Sequence, residues 1–405
     1  LQKSHRLRNC YPQYEWPVPT SMLVNYFCRM TIPLPYPIAL YIFIAFCACI
    51  AIQILYYLFL FSKTAFYKTK NYYDEALKPL SVIVCARDEA ANLVKNLPGI
   101  LVQEYPATHE VIVVNDNSTD ESKYVLEELK AVFPNIHHIE LTQEAKLIAG
   151  KKFPLSIGIK SAKFEYLLLT DADCVPASEL WIKKMQEAYN PNTEIVLGYG
   201  AYHKKPGFLN KIIRFETFHT AIQYFSYALA GMPYMGVGRN LSYKRDVFIR
   251  NKGFSSMNQI PGGDDDLFIN KVATKHNTAV VIDPEAFTLS EPKQTWRDWM
   301  KQKNRHYSTS KYYKFKHKFW LGLYTFSFFW IYPLLAASII FFNWWLPLLV
   351  FAFRWLIQGI IYYKGMKKLN ESDLFPLFWL FDIWMFFYYI LFFPALWKKP
   401  KKTWN

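Results

Sequence analysis

Ser81-Val82-Ile83-Val84-Cys85-Ala86 is an apolar, largely β-branched run that stops abruptly at Arg87-Asp88-Glu89. The same event recurs twice downstream. Residues 111–114 run into Asn115-Asp116-Asn117-Ser118-Thr119-Asp120, and 167–169 run into Thr170-Asp171-Ala172-Asp173. Runs this short and this uniformly apolar read as strands buried on both faces. Strands are expected over 80–85, 110–114, 136–141, 166–170 and 195–199, with helical spacing between the earlier ones at 90–101 and 121–133. Alternation of this kind predicts an α/β block with a mainly parallel sheet covered by helices, its ligands beyond the carboxyl ends of the strands. The acids at three successive strand ends then gather on one rim. Helix capping accounts for some of them, since Ser118 and Thr119 before Glu121 suit a helix start. It does not account for the full set.

Around this block the chain turns apolar. Residues 37–61 carry only Gln53 as an interruption, enough to cross a hydrocarbon core of ~30 Å at ~1.5 Å per residue. Residues 319–342, 344–363 and 374–397 are also of spanning length, with Arg354 and Asp382 inside the second and third. Charges at such depth are costly, so they are expected to face protein or an acceptor channel, unless the segments tilt or re-enter. Lys63, Lys68 and Lys70 on one side and Lys311, Lys314, Lys316 and Lys318 on the other put the block in the cytoplasm, at a membrane of the bacterial inner type. Lys364, Lys367 and Lys368 mark a second cytoplasmic loop. If all four runs span, the tail with Lys398, Lys399, Lys401 and Lys402 falls outside, against the charge rule. Either the last run is a re-entrant or interfacial hairpin, or the number of spans is off by one.

The expected organisation is therefore an extension over 1–36, a membrane helix over 37–62, a catalytic block over 63–290, an interfacial amphipathic helix over 291–318, membrane helices over 319–397 and a basic tail over 398–405. The extension, with Lys3, Arg6, Arg8 and Arg29, is expected to be disordered and lacks the pattern of a signal peptide; Met30 is an alternative start. The formal charge of +15 fits anionic headgroups and nucleotide phosphates. No nucleic-acid motif is present, and nucleic acid is not an expected partner. Six cysteines, with Cys47, Cys49 and Cys85 in apolar runs and Cys10, Cys28 and Cys174 scattered, form no disulfide or zinc pattern. Residues 208–229 read as an amphipathic helix near the membrane interface, with His219 on its polar face rather than on a metal.

Side chains alternate along a strand, so Asp171 and Asp173 share a face if their strand continues. Two carboxylates so placed repel unless a cation sits by them. Mg²⁺ or Mn²⁺ prefers oxygen ligands and completes its shell with substrate phosphates, which a nucleotide diphosphate supplies.

With these residues in place the chain resembles the family 2 glycosyltransferases of the GT-A fold. Asp116 and the Asp171-Ala172-Asp173 pair look like that family's nucleotide and metal sites. Gly236-Val237-Gly238-Arg239-Asn240-Leu241-Ser242-Tyr243 resembles its glycine-rich acceptor segment. Gly263-Asp264-Asp265-Asp266-Leu267 resembles its acidic base motif, with Gly263 where a Glu is usual, and Gln302-Lys303-Asn304-Arg305-His306 resembles QxxRW, with His306 for the Trp.

The resemblance implies that Glu89 and Asp116 hold the base and ribose side of the nucleotide. Asp171 would lie near the ribose or metal, Asp173 would ligate the metal, and Lys152 or Lys151 would meet the nucleotide or its phosphates. Asp264 would be the general base of an inverting transfer, with Asp265 as the alternative if the register slips by one. Clustered as they are, Asp264, Asp265 and Asp266 are expected to titrate together, one with a raised pKa. Gly238 and Asn240 would serve the acceptor. Gln302 and Arg305 share a helix face that Trp299 extends, and with His306 they would close over diphosphate and acceptor. Replacing the Trp by His306 weakens the case for processive polymerisation.

The implied activity moves a sugar from a nucleotide-diphosphate donor to a lipid-linked or glycan acceptor at the membrane. The alternative is a catalytically inactive membrane scaffold of a glycan-assembly complex, whose mark would be loss of the acids. A sugar-nucleotide-forming nucleotidyltransferase would carry a glycine-rich loop after the first strand, where this chain has Arg87-Asp88-Glu89-Ala90.

Overall fold

In the computed structural model, residues 34–69, 77–142 and 150–396 are described. The expectations for the N-terminal extension, Met30, Cys10, Cys28, Lys70 and the basic tail lie outside the described residues.

A helix, α1 (Tyr36–Leu55), continues through a π turn over Tyr56–Phe61 to Ala65. The block then follows in the expected rhythm: β1 (Leu80–Ala86), α2 (Ala90–Leu101), β2 (His109–Asp116), α3 (Ser122–Val132), β3 (Ile136–Leu141), α4 (Lys152–Ser161) and β4 (Tyr166–Asp171). After it come β5 (Cys174–Pro176), α5 (Trp181–Gln186), β6 (Ile195–Leu197), β7 (Gly200–Tyr202) and the long α6 (Phe208–Leu229). Then β8 (Leu241–Lys244), α7 (Arg245–Arg250), α8 (Asp266–Val272), β9 (Thr278–Val280) and β10 (Thr288–Ser290) complete it. The chain ends in α9 (Trp296–Tyr307), α10 (Phe315–Phe341), α11 (Trp345–Lys368) and α12 (Phe378–Phe392).

Seven strands form one sheet in the order β3-β2-β1-β4-β8-β6-β9, and β5-β10-β7 form a small second sheet. The half from β3 to β4 is parallel, as the alternation predicts, whereas β8 runs antiparallel to both β4 and β6. In β1 the period of two decides the packing. Leu80, Val82, Val84 and Ala86 join Leu93 and Leu97 of α2 on one face. Ile83 meets Leu155 and Ile159 of α4 on the other. Gly158 lets α4 approach closely, since a Cβ there would sit 2.8 Å from Ile83 Cγ2. Register fixes the rim: Cys85 lies opposite Val114 and Asp171, and Ala86 opposite Asn115.

Helix α6 corrects the amphipathic reading. It is buried nearly all round, because the block packs on one side of it and the apolar helices on the other: Thr64 Oγ1 lies 2.7 Å from Ser226 Oγ, and the rings of Phe218 and Tyr362 meet at 5.3 Å. His219 is buried with it, 3.0 Å from Tyr324 Oη, and is not on a polar face.

Four segments, Tyr36–Ala65, Phe315–Phe341, Trp345–Lys368 and Ser372–Leu396, are long and apolar enough to cross a membrane. Their polar groups point at each other. Gln53 Nε2 donates to Tyr324 O at 2.9 Å and Ser327 Oγ at 2.8 Å. Arg354 donates two bonds to Asp382, at 2.8 and 3.0 Å, and both side chains are buried. These two charges therefore face protein.

Candidate active site

The loops at the carboxyl ends of β1, β2 and β4 build the rim. Some acids there are structural, as capping predicts. Asp88, at φ 55°, accepts from the Thr119 N–H at 2.7 Å, and Asp120 accepts from the amides of Ala90 and Ser122. These bonds clamp the first two loops together. Asp116 is buried at the end of β2, with an Arg87 nitrogen 3.9 Å away. Glu89 accepts from Asn92 Nδ2, and burial with the nearby charges of Asp173 and Asp171 raises its pKa.

The strand does not continue, as a shared face for Asp171 and Asp173 would require. Strand β4 ends at Asp171, and a turn carries the chain through Ala172 and Asp173 into β5. That turn still leaves a possible ligand atom on each of Asp171, Asp173 and Cys174 within 4.8 Å of the others. Burial and the Asp171 charge raise the Asp173 carboxyl. Burial pushes the Cys174 thiol far up, and a thiol is a soft donor that a hard divalent cation disfavours. Two oxygen donors remain, a set that suits a hard divalent cation with positions left for phosphate and water.

Lys151, not Lys152, reaches this site. Its Nζ lies 2.6 Å from Asp171 Oδ1 and 3.3 Å from Asp264 Oδ2. Burial opposes its charge, but Asp171, Asp264 and Asp265 outweigh it and hold the pKa well above the usual lysine value. For Asp171 burial likewise works upward, and Lys151 brings the carboxyl below its ordinary range. Lys152 turns away and donates to Ile260 O and, at 2.5 Å, to Gly262 O, fastening the acidic loop from behind. Sequence alone left the two lysines equivalent because they are adjacent at the start of α4.

In that loop the absent Glu has a steric cause. Gly263 sits at φ 88°, and a Cβ there would lie 2.4 Å from Leu267 Cδ1. Asp264 keeps its carboxylate toward Lys151 and lines a small pocket with Cys85, Gly238, Tyr243 and Asp265. Asp265 accepts from the Gly238 N–H at 2.8 Å and caps α8 through the Asp266 N–H. Burial first, then the charges of Asp264 and Asp266, push it up to about 7. Asp266 is tied to Thr309 Oγ1 and Tyr313 Oη, so the loop is moored to the segment after α9. Gly238 thus holds Asp265.

Asn240 is corrected. Its amide donates to Tyr199 O and Ala286 O, and its Oδ1 accepts from Trp181 Nε1, all buried. It joins the two sheets and has nothing to offer an acceptor. The neighbouring Arg239, which the pattern passed over, does face the site. Its guanidinium lies 4.3 Å from the Tyr202 ring centroid, donates to Ser290 Oγ at 3.2 Å and feels the charges of Asp173 and Asp171. An arginine inside a glycine-rich segment was the available signal.

Thr295 caps α9 by accepting from the Asp298 N–H. Gln302 sits 3.5 Å from Tyr202 Oη, and its buried Oε1 has no hydrogen-bond partner among the described residues. Arg305 and His306 are exposed, and the Arg305 charge acts on both Asp171 and His306. Trp299 does not extend this face. It is buried against Trp384, Tyr388 and Phe392. Its position i−3 to Gln302 was ambiguous because packing partners far along the chain claimed it.

Around Cys85, whose thiol burial lifts to about 12, the charges of Lys151, Asp171, Asp264 and Asp116 all act. The acids at the ends of β2 and β4 and in the loop before α8 therefore share one neighbourhood.

The description "Glycosyl transferase family 2" matches residues 81–250, and "Glycosyl transferase family group 2" matches 167–396. A poly-β-1,6-N-acetyl-D-glucosamine synthase of Staphylococcus epidermidis is 26% identical over 167 residues, 40% of this chain and 38% of that protein. A β-monoglucosyldiacylglycerol synthase of Nostoc sp. is 29% identical over 119 residues, 28% of this chain and 25% of that one. The chain thus spans about two-fifths, or less, of the length of the curated relatives it matches. Among solved structures, a mannosyltransferase from Pyrobaculum calidifontis, in complex with GDP-Man and Mn²⁺, superposes over 87% of this chain and 99% of that one, with a TM-score of 0.53 and 19% identity.

Proposed function

Because the chain belongs to the glycosyl transferase family 2 group, whose description matches more than half of it, and its block has the GT-A fold, we propose that it transfers a sugar, with inversion, from a nucleotide-diphosphate donor to a membrane-associated acceptor. The observation that carries this reading is the Asp171–Asp173 pair at the end of β4, joined through Lys151 to Asp264. Glu89 and Asp116 form the nucleotide side. Asp173, with Asp171, holds Mg²⁺ or Mn²⁺, which when bound supplies Lewis-acid help to the departing diphosphate. Gln302, Arg305 and Arg239 offer donors to phosphate oxygens, Arg by its planar fork.

Asp264 takes the proton of the attacking acceptor hydroxyl. Asp265 is the weaker base candidate. Its carboxyl is engaged by the Gly238 amide and the α8 cap, and near neutral pH it is partly protonated. Asp264 has no backbone donor on its carboxylate among the described residues and lies next to the pocket. A membrane-associated acceptor, glycolipid or glycan, suits a site whose walls include α9 beside the apolar helices. The positive flanks of those helices put the block in the cytoplasm.

Purified protein offered UDP-N-acetylglucosamine, UDP-glucose and GDP-mannose, with Mg²⁺ or Mn²⁺ and membrane lipid extract, is expected to release nucleoside diphosphate from at least one donor. Chelation stops the release. An inactive scaffold would release none under any pairing.

A further inference from the structure

The last apolar segment, Ser372–Leu396, has the length to cross a membrane, yet α6 of the block and then α9, which follows the block, touch it from end to end. Just before it, Glu371 accepts from Arg214 Nε of α6 at 2.9 Å. At its start, Asp373 accepts from Arg214 at 2.7 Å and from Lys204 at 2.8 Å. Further on, the Phe381 ring stacks on Phe215 at 4.6 Å, and Tyr388 Oη donates to Glu216 at 3.2 Å. At its far end Phe392 stacks on Tyr307 of α9 at 5.7 Å and meets Trp299 at 5.6 Å. The opposite face of α12 meets the spanning helices: Asp382 pairs with Arg354, Phe386 stacks on Phe329 at 5.3 Å, and Tyr389 meets Phe328 at 5.6 Å.

A helix that crosses a core of ~30 Å can bring only one end to a block that lies on one side. Here the start and the middle reach α6 of the block, and the far end reaches α9, whose Lys303 is itself paired with Glu216 of α6. We propose that Ser372–Leu396 does not cross the membrane but lies between the block and the other apolar helices as a brace, and that through Tyr388, Glu216 and Lys303 it positions the helix carrying Gln302, Arg305 and His306. The mechanism is visible on α9. Trp299, Lys303 and Tyr307 repeat at intervals of four and form its inner face, where Lys303 is buried in an ion pair with Glu216. Gln302 and Arg305 lie on a different face. Glu216 thus takes a hydrogen bond from the brace and an ion pair from α9, and a shift of α12 moves the cleft wall.

The arrangement also removes the charge conflict. With three crossings, the run Lys398, Lys399, Lys401 and Lys402, outside the described residues, joins Lys364, Lys367 and Lys368 on the block's side. Lys303, Glu216 and Tyr388 are positioning residues, and that part rests on the site reading above. The topology does not.

Two full-length forms test the topology in spheroplasts treated with protease, one with an epitope after Asn405 and one with the epitope inserted at Asn343, between α10 and α11. Opposite fates of the two tags are expected, since they would lie on opposite sides. The same fate for both overturns the brace. For the positioning role, Glu216→Gln with Lys303→Met removes both buried charges together and so avoids leaving one unpaired. Turnover of the three donors is expected to fall about ten- to a hundredfold, as misplaced groups cost. Mn²⁺ affinity in the presence of UDP or GDP is expected to stay within about twofold, because Asp116, Asp171 and Asp173 are untouched. Wild-type turnover, or loss of affinity in step with turnover, contradicts the role. No turnover by the wild type would sink the site reading and the positioning role with it, while the tags still decide the topology.

Discussion

Asp382 and Asp173 are the same residue in opposite circumstances. Asp382, between the apolar helices, accepts five hydrogen bonds: two from Arg354 and one each from Tyr332, Trp355 and Gln358. Asp173, at the rim, has a thiol at 3.4 Å and another carboxylate for company. A charge saturated with donors is a fastening. A charge placed beside a like charge, with only a weak thiol donor, is one that a cation would relieve. The buried Gln302 Oε1 likewise has no hydrogen-bond partner among the described residues.

The sharpest way to break the comparison is at the base. Asp264→Asn is expected to slow sugar transfer by about 10²- to 10⁴-fold with nucleotide affinity intact, measured as initial rates beside nucleotide titrations. Unchanged turnover would remove Asp264 from its role. At the saturated site the effect should fall on stability instead. Asp382→Ala leaves Arg354 buried without its partner and is expected to cost about 3–5 kcal/mol, read from thermal or denaturant unfolding in detergent. Metal affinity of the protein that stays folded should not change.

The adjacent lysines repeat the contrast at one residue's distance. Lys151→Met is expected to lower turnover about tenfold or more, through loss of the bridge between Asp171 and Asp264. Lys152→Met is expected to lower stability by about 1–3 kcal/mol, because Ile260 O and Gly262 O lose a buried donor. Equal effects of both variants on turnover would erase the distinction.

The smallest effect concerns pH. Asp265 titrates at about 7 in the folded protein, against an ordinary 3.8. The folded state therefore holds its proton more tightly than the unfolded one, and this contribution to stability is full below about 4 and is lost as pH rises through about 7. Asp265→Asn is expected to flatten the decline of melting temperature with pH across that window. An identical slope in both proteins would contradict the burial argument.

The parallel half of the sheet was legible because buried strands announce themselves by composition, and β1, β2 and β4 end within two residues of where their apolar runs stop. The acids of the rim were legible for the same reason: polar residues after an apolar run have one place to go. What was not legible depended on partners distant in sequence. Helix α6 looked amphipathic because Arg214, Glu216 and His219 are polar, yet Glu371, Lys303 and Tyr324 satisfy them in the interior. Asn240 looked like an acceptor contact until Tyr199, Ala286 and Trp181 claimed it. A turn at Ala172 replaces the strand that pairing Asp171 with Asp173 assumed, yet it keeps possible ligand atoms of the two carboxylates within 4.8 Å of each other.

The account stands most directly on cation binding at the unsaturated pair. Calorimetric titration of Mn²⁺ into the purified protein with UDP or GDP present is expected to show one site in the wild type, at least tenfold weakened in Asp173→Ala and unchanged in Lys152→Met. Equal Mn²⁺ affinity in wild type and Asp173→Ala would contradict it.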